Sequence, residues 1–310
     1  LNNKGVEFSL NAQIIDSSSW KWSVSGNIGV NRNEISDLGL LPADFGCLGE
    51  RVGYYGNSLG DHFGVGHIFL AGEAPGLFYG YVTQGIVQKE DITENGIKYI
   101  KQDGSVGYYQ TVNKTTPVAG DVKYVDRNGD GVVDDNDRDI IGNPNPDFTY
   151  GFQTKVSWKS LSLSASFNGV QGRDILNVGN RYNNTPGTKS NNVTRKAFQN
   201  MWTDENPSNL YPSSTYKIPN MVMDRYVEDG SYLRCSDITL SYVLPAKWTN
   251  KIGIKNTSVY ASVKNAFVIT DYSGYDPEVN SFAFDGLRPG VDMNSYPTPR
   301  SFVFGLNLTF

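Results

Sequence analysis

The sequence contains little cysteine and little histidine. Its two cysteines, Cys47 and Cys235, are far apart among 310 residues, and they form neither a disulfide framework nor the paired spacing of a metal site. We therefore expect both thiols to be unpaired. The two histidines, His62 and His67, have no cysteine or carboxylate at ligand spacing, so they are expected to be loop or membrane-interface residues rather than metal ligands.

Long apolar runs and excess positive charge are also missing. No segment approaches the ~20 apolar residues of a membrane helix, but this does not exclude a membrane, because barrel strands need only about 10 alternating residues. The net charge of -5 argues against nucleic-acid binding, which requires a basic face. The sequence has no Gly-x-Ser-x-Gly, no His-Glu-x-x-His and no phosphate loop, so an enzyme is a weak hypothesis.

Turn-forming and aromatic residues are abundant. Aromatics make up 13% of the chain and charged residues only 19%, and there are 33 glycines. Helix-favouring runs of Ala, Leu, Glu and Lys are absent, so the composition predicts an all-β chain with many turns. The chain begins at Leu1 without a Met or a signal peptide, and its first residues already have strand character. We therefore expect a fragment or a processed product whose targeting segment lies outside it.

Seven segments alternate strictly between apolar and polar residues, which is typical of β-strands. The clearest is the last, in which Phe302, Phe304, Leu306, Leu308 and Phe310 alternate with small or polar residues. The other six comprise residues 6–14, 20–30, 148–158, 161–167, 238–244 and 259–267. Their polar positions carry Ser, Thr, Asn, Gln and Gly rather than the Lys and Glu of a soluble sheet. This favours an antiparallel transmembrane β-barrel over a soluble β-sandwich.

The connections between these strands are alternately short and long. Short turns lie at residues 16–19, 159–160 and 245–256, and long loops at residues 32–146, 171–230 and 271–299. This asymmetry is typical of outer-membrane barrels, whose long loops are extracellular. Seven strands cannot easily close around a lumen. They therefore predict part of a larger barrel, in which any further strands within residues 32–146 come in an even number.

Aromatic residues occupy two kinds of position. Trp20, Trp22, Trp158 and Tyr242 lie near predicted strand ends, where they would form an interfacial girdle or simply pack. A second group lies in the long loops and would stack on sugars, pack against a peptide, or only order the loops. Its members are Tyr79, Tyr81, Tyr182, Trp202, Tyr211, Tyr272 and Tyr275.

Residues 126–137 have the spacing of a twelve-residue calcium loop. Oxygen side chains occupy positions 1, 3, 5, 9 and 12, a glycine, Gly131, stands at position 6, and position 7 offers its carbonyl. The candidate Ca²⁺ ligands are Asp126, Asn128, Asp130, Val132, Asp134 and Asp137. Asp137 departs from the usual bidentate Glu, and the flanks read as strand and turn rather than helix. An acidic turn held by its own hydrogen bonds is the alternative.

Several motifs, in the same order along the chain, resemble the SusC/RagA family of TonB-linked outer-membrane transporters. They are DVKYVDRNGDGVVD from Asp121, IGNPNPDFTYGF from Ile141, MWTDENP from Met201, YVEDGSYLR from Tyr226, ITLSYVLP from Ile238, YSGYDPEV from Tyr272 and the closing strand after Pro299–Arg300. The likeness covers essentially all 310 residues.

The resemblance implies a fold, a location and partners. Residues 1–310 would be the C-terminal part of a barrel of about 22 strands in the outer membrane of a Gram-negative bacterium. Residues 32–146 would be a long extracellular excursion that contains the acidic loop 126–137, and the plug and N-terminal domain would lie outside this chain. The implied function is import of an oligosaccharide or peptide, driven by the TonB complex and assisted by a SusD-like surface lipoprotein that acts as a lid.

Two other interpretations of the sequence remain open. One is an outer-membrane barrel enzyme, which would act on lipid or peptide without a lipoprotein partner. The other is a soluble, calcium-stabilised β adhesin, which would leave the membrane fraction without detergent.

Overall fold

Seven long strands form one antiparallel sheet in the computed structural model, which describes residues 1–39, 46–48, 51–60, 63–186, 192–217, 219–249, 254 and 256–309. Strands that are consecutive among these seven are neighbours in the sheet. The strands are β1 (Asn2–Asp16), β2 (Trp20–Glu34), β3 (Phe148–Trp158), β4 (Leu161–Gln171), β5 (Tyr232–Val243), β6 (Asn256–Thr270) and β7 (Ser301–Thr309). All seven correspond to the alternating segments of the sequence.

The register of the sheet brings like side chains together. Phe152 on β3 pairs with Phe167 on β4, and the next residues, Gln153 and Ser166, also pair with each other. Because successive side chains point to opposite faces of a strand, these pairs belong to two different faces. The sheet therefore has one apolar face and one face of hydroxyl, amide and glycine positions.

The apolar face is open. Phe304 is 80% exposed, Leu306 58% and Phe152 43%, and no second layer covers them among the residues that the structure describes. A soluble sheet would bury such a face against a helix or another sheet. An uncovered apolar surface across seven strands therefore requires an apolar medium, and the unpaired edges of β1 and β7 require further strands.

An aromatic band lies next to the short turns. Trp20 on β2 pairs with Trp158 on β3, with their ring centroids 5.9 Å apart, and Tyr242 on β5 follows in the same row through Leu161. All three aromatic side chains are more than a third exposed. Their exposure fits an interfacial girdle better than internal packing.

The short connections lie at this same end. The first spans residues 17–19, and the second is Lys159–Ser160, where Lys159 has a φ of 52°. The third contains a short helix, α3 (Ala246–Thr249). Within the described ranges, no helix combines the length and apolar character needed to span a bilayer.

Three excursions leave the opposite end of the sheet and form one loop domain. They comprise residues 35–147, 172–231 and 271–300, here called the first, second and third excursions. The second contains helices α1 (Val178–Asn184) and α2 (Arg195–Asn200). Single 3₁₀ turns span Lys89–Asp91, Asp135–Asp137 and Asp224–Tyr226.

The strands of the loop domain are short, and none joins the seven-stranded sheet. Those of the first excursion are Gly46–Leu48, Arg51–Tyr55, His67–Leu70, Leu77–Tyr81, Thr83–Ile86, Ile92–Thr93, Gly96–Ile100, Val106–Tyr109, Thr111–Val112, Val122–Tyr124, Val132–Val133 and Arg138–Gly142. The second excursion contributes strands Asp174–Asn177 and Val227–Asp229. The third contributes Val291–Asp292, which pairs in parallel with strand Asp174–Asn177.

A hydrophobic core holds the three excursions together. Phe78 and Tyr124 of the first pack in one cluster with Leu176 and Met223 of the second and Val291 of the third, and each is at most 2% exposed. The apolar side chains of the chain are thus divided between an open face along the strands and a dry core in the loops. Cys235 lies buried on β5 and is free, as expected, whereas the side chains of Cys47, His62 and Phe310 lie outside the described residues.

His67 lies inside the loop domain rather than at a membrane interface. Its ring is fully buried, and the ring centroids of His67 and Phe78 are 5.2 Å apart. Nε2 of His67 forms a hydrogen bond with the carbonyl oxygen of Pro289 at 2.8 Å. Burial, with a smaller contribution from the nearby Arg288, lowers the pKa of His67 from 6.5 to about 4. The neutral ring therefore ties the first excursion to the third.

The first prediction concerns the lipid-facing side of the sheet. In the full-length protein, we expect Phe152→Arg to destabilise the folded state by about 2–4 kcal/mol, because a guanidinium would enter hydrocarbon. Gln153→Arg, one residue away on the polar face, is the matched control and should be nearly neutral. Urea unfolding in lipid vesicles measures both. Equal effects of the two variants would contradict the assignment of the faces.

The second prediction concerns acid. Because the folded pKa of His67 lies below the unfolded one, the unfolded state binds more protons between these values. The loop domain should therefore be fully stable above pH 6.5 and lose up to roughly 3 kcal/mol as the pH falls toward 4. His67→Gln should remove this loss. Hydrogen exchange of the loop domain at several pH values tests it, and parallel acid sensitivity in wild type and variant would disprove it.

Candidate functional site

The third excursion folds back onto the polar face of the sheet. Arg234, on the polar face of β5, is only 5% exposed and forms ion pairs with Asp276 at 2.5 Å and with Glu278 at 3.3 Å. Glu278 also accepts from Asn168 of β4 at 2.9 Å and from the hydroxyl of Tyr232 at 2.7 Å. A buried cation on the strands thus anchors two carboxylates of the loop.

The carboxyl of Asp276 is kept ionised in this position. Burial opposes its charge, but backbone N–H groups of Glu278 and Thr298 and the charge of Arg234 together lower its pKa below the usual range. Removing either partner of such a buried pair leaves the other charge uncompensated. The pair therefore fixes where the third excursion stands relative to the polar face.

A second charged pair marks the polar face where two strands are irregular. The register shifts between Cys235 and Asp237, and Asn265 on the facing strand has a φ of 51°. Asp237 pairs with Lys264 at 2.6 Å and accepts from the hydroxyl of Ser262 at 2.7 Å. This places both charges on the inner side of the sheet, where the flanking strands present neutral polar groups.

The acidic loop follows a short strand, residues 122–124, and ends in a 3₁₀ turn, with no helix on either side, as expected. Asp126 is 2% exposed, and its two oxygens accept the backbone N–H groups of Gly129 at 2.6 Å and Gly131 at 2.8 Å. Gly131 has a φ of 85°, a left-handed conformation that favours glycine.

The other carboxylates of the loop also bind its own backbone. Asp137 is buried and accepts from the N–H groups of Arg127 at 2.7 Å and Asp134 at 2.8 Å. Asp130 accepts from the N–H of Val132 at 2.8 Å. Burial raises the pKa of Asp137, and the neighbouring Asp126 raises it further.

The sequence-predicted ligands are therefore close along one turn, but their carboxylates are used as backbone caps. In the described part of the chain, no three His, Cys, Asp or Glu side chains form a group that could hold a metal ion. Asn128 donates its amide to Asp130 at 3.0 Å, and Asp134 accepts from the N–H of Asn136 at 2.9 Å. The self-bonded acidic turn, which the sequence offered as the alternative, is what these contacts describe.

Most of the loop aromatics that the sequence proposed for substrate contact are packing residues instead. Tyr79, Tyr81, Tyr211 and Tyr272 are at most 8% exposed, and the partly buried Tyr182 and Trp202 pack against the main loop-domain core. Tyr275 is the exception and is 70% exposed. An alternating sequence pattern cannot distinguish packing aromatics from exposed ones here, because every residue of the strand Leu77–Tyr81 is buried.

An amide-rich pocket, which no sequence motif indicated, lies between the second and third excursions. Its volume is about 190 Å³. Its lining residues are Asn177, Asn180, Asn183, Asn184, Thr194, Ser273, Gly274, Tyr275, Asp292 and Asn294. The only signal in the sequence was the density of asparagine between residues 177 and 184.

Comparison with known proteins identifies the chain's relatives. No protein-family model matches it. TonB-dependent receptor P26 of Formosa agariphila is 31% identical over 322 residues, covering 100% of this chain and 29% of that protein. TonB-dependent receptor SusC of Bacteroides thetaiotaomicron is 31% identical over 319 residues, covering 100% of this chain and 26% of that protein. The chain thus spans less than a third of the length of these relatives.

Solved structures agree in fold. The RagAB peptide importer in its closed-closed state superposes with a TM-score of 0.68 at 26% identity, covering 99% of this chain and 29% of that one. Its open-open state gives a TM-score of 0.66 at 25% identity, covering 99% and 28%. The seven-stranded sheet is therefore part of an antiparallel outer-membrane β-barrel, and the chain belongs to the SusC/RagA family of TonB-dependent receptors.

Proposed function

We propose that this chain is the C-terminal part of an outer-membrane importer for oligosaccharides or peptides. Strands β1 to β7 form a sector of the barrel wall, and the three excursions form extracellular structure over its lumen. The TonB complex drives import through a segment outside this chain, and a SusD-like surface lipoprotein covers the loop domain. The plug and N-terminal domain also lie outside these residues.

One observation carries this proposal: the two faces of the sheet have opposite chemistry, and the third excursion folds onto the polar one. The apolar face is open, whereas Arg234 on the polar face is covered by the third excursion. A binding compartment between a polar wall and folded loops suits uptake of a polar nutrient. The open apolar face argues against a soluble adhesin, and the named relatives are receptors and importers rather than enzymes.

The third prediction tests import directly. Full-length transporter should be extracted only with detergent, and mass spectrometry of the purified material should identify a co-purified lipoprotein and a nutrient. Deletion of the gene should abolish uptake of that nutrient, and the intact gene should restore it. Uptake that persists without the gene, or cleavage of the nutrient by the purified protein alone, would contradict an importer.

We further propose that residues 126–137 bind Ca²⁺ as a structural ion. Asp126 and Asp137 are both buried, and neither forms an ion pair with a described residue. Oδ1 of Asp137 accepts two N–H groups, whereas Oδ2 of Asp137 and both oxygens of Asp126 accept one each and retain a second lone pair. A hard cation held by these two residues, with Asn128, Asp130, Asp134 and the carbonyl of Val132, would compensate the buried charge.

The fourth prediction tests the ion. Adding Ca²⁺ at a hundredfold excess over its dissociation constant should stabilise the loop by about 2.7 kcal/mol, or roughly a hundredfold in hydrogen-exchange protection of residues 126–137. Chelation should reverse this, and Asp126→Asn should abolish it. Asp103→Asn, on an exposed hairpin turn nearby, is the control. Unchanged protection after chelation, together with no anomalous signal at the loop, would reject calcium.

A further inference from the structure

The amide-rich pocket is built on a fixed carboxylate. Glu228 accepts the side-chain amides of Asn177 at 3.0 Å and Asn180 at 2.8 Å through one oxygen. The same oxygen takes the hydroxyl of Ser273 at 2.9 Å, and the other takes its backbone N–H at 2.8 Å. Glu228 therefore joins the second excursion to the third through three residues that line the pocket, Asn177, Asn180 and Ser273.

The amides of the lining form an ordered chain that continues from Glu228. Asn184 donates its amide to Asn180 at 2.6 Å, and Thr194 donates its hydroxyl to Asn184 at 2.7 Å. The amide nitrogens of Asn180 and Asn184 each keep a second hydrogen that these bonds do not use, whereas that of Asn177 also donates to the hydroxyl of Ser273 at 3.3 Å. The orientation of the donors is therefore set before any ligand arrives, which lowers the entropy lost on binding.

The rim carries the groups that remain open. The side chains of Asn183, Asn294 and Tyr275 form no hydrogen bond with any described residue, although all three line the pocket. Tyr275 presents an aromatic ring that is 70% exposed. The rim thus offers amide donors and acceptors beside one flat apolar surface.

The charge of the pocket excludes recognition of an anion. Its described lining contains no Lys, Arg or His, so it cannot neutralise a carboxylate or phosphate. The acidic lining residue, Asp292, is 3% exposed, and its oxygens accept from the hydroxyl of Tyr272 at 2.7 Å and the N–H of Ser295 at 2.9 Å. The ligand chemistry that fits this mostly neutral amide lining is therefore non-anionic and rich in hydrogen-bonding groups.

The size of the pocket narrows the ligand further. At about 190 Å³ it is smaller than the roughly 300 Å³ of the smallest drug-sized sites, so it holds one unit of a polymer. A peptide unit offers one N–H and one C=O, whereas a sugar ring offers several hydroxyls, each a donor and an acceptor. Sugar rings also have apolar C–H faces that lie against aromatic rings, as at Tyr275.

We propose that this pocket binds a single neutral sugar unit of an oligosaccharide substrate. The inference rests on the proposed import function, and it selects carbohydrate over peptide for this chain. Tyr275 directly precedes Asp276, which bonds Arg234 on the polar face of the barrel wall. The pocket therefore lies beside the face along which an imported substrate would pass.

The fifth prediction uses the full-length transporter, purified with the lipoprotein that accompanies it. The probes are a panel of neutral oligosaccharides, namely α- and β-linked glucans, mannans and xylans, and as a second arm a tryptic digest of casein. Asn183→Ala and Tyr275→Ala should each lower the affinity for the bound oligosaccharide at least tenfold. Asn294→Gly, which tolerates the left-handed backbone of Asn294 (φ 64°), should lower this affinity to a similar extent.

Matched controls separate the pocket from the loops in general. Asn280→Ala and Tyr296→Ala change exposed residues of the third excursion that do not line the pocket. Both variants should leave the affinity for the oligosaccharide unchanged. Unchanged affinity in the pocket variants would overturn the inference while import stands. The inference is also overturned if the transporter binds and imports casein peptides but no oligosaccharide, whether or not the pocket variants lose peptide binding. If the wild type neither binds nor imports any probe or native nutrient, the import function itself fails.

Discussion

The structure depends on complete backbone pairing in a medium that offers no hydrogen bonds. In hydrocarbon every N–H and C=O must find its partner within the protein, so strands survive only when each is paired on both sides. Strands β3 and β4 pair with each other without interruption, from Phe148 opposite Gln171 to Trp158 opposite Leu161. With the backbone satisfied, side-chain alternation alone decides which face meets lipid. A slip of one residue would turn every apolar side chain inward.

The rigid wall in turn supports a loop domain with a different kind of stability. Its strands are short, and its core is assembled from residues of all three excursions, such as Phe78, Leu176 and Val291. The contacts of Arg234 with Asp276 and of Glu228 with Ser273 hold the third excursion against the wall and against the second excursion. Binding groups carried by loops on a rigid scaffold are a common arrangement in proteins. Here the scaffold supplies position and the excursions supply the chemistry.

The sequence predicted the wall well and the loop domain poorly, for a physical reason. Long strands repeat the alternating pattern often enough to be recognised, as in Phe302 to Leu308. The strands of the first excursion have two to five residues and are held by contacts with distant segments, so periodicity has too little length to act on. Tyr79 and Tyr81 resembled binding aromatics because their burial depends on those distant contacts. The amide-rich pocket joins Asn180 and Asn294, which only the folded loops bring together.

The central claim is that one face of these strands contacts lipid and the other lines a lumen. The most direct test attaches a spin label at each position of β3 in turn, with the full-length protein in a bilayer, and measures collision with oxygen and with a water-soluble nickel complex. Oxygen should dominate at Phe152 and Val156 and the nickel complex at Gln153 and Lys155, with a period of two along the strand. Equal access of the nickel complex to both sets, or the opposite phase, would contradict the account.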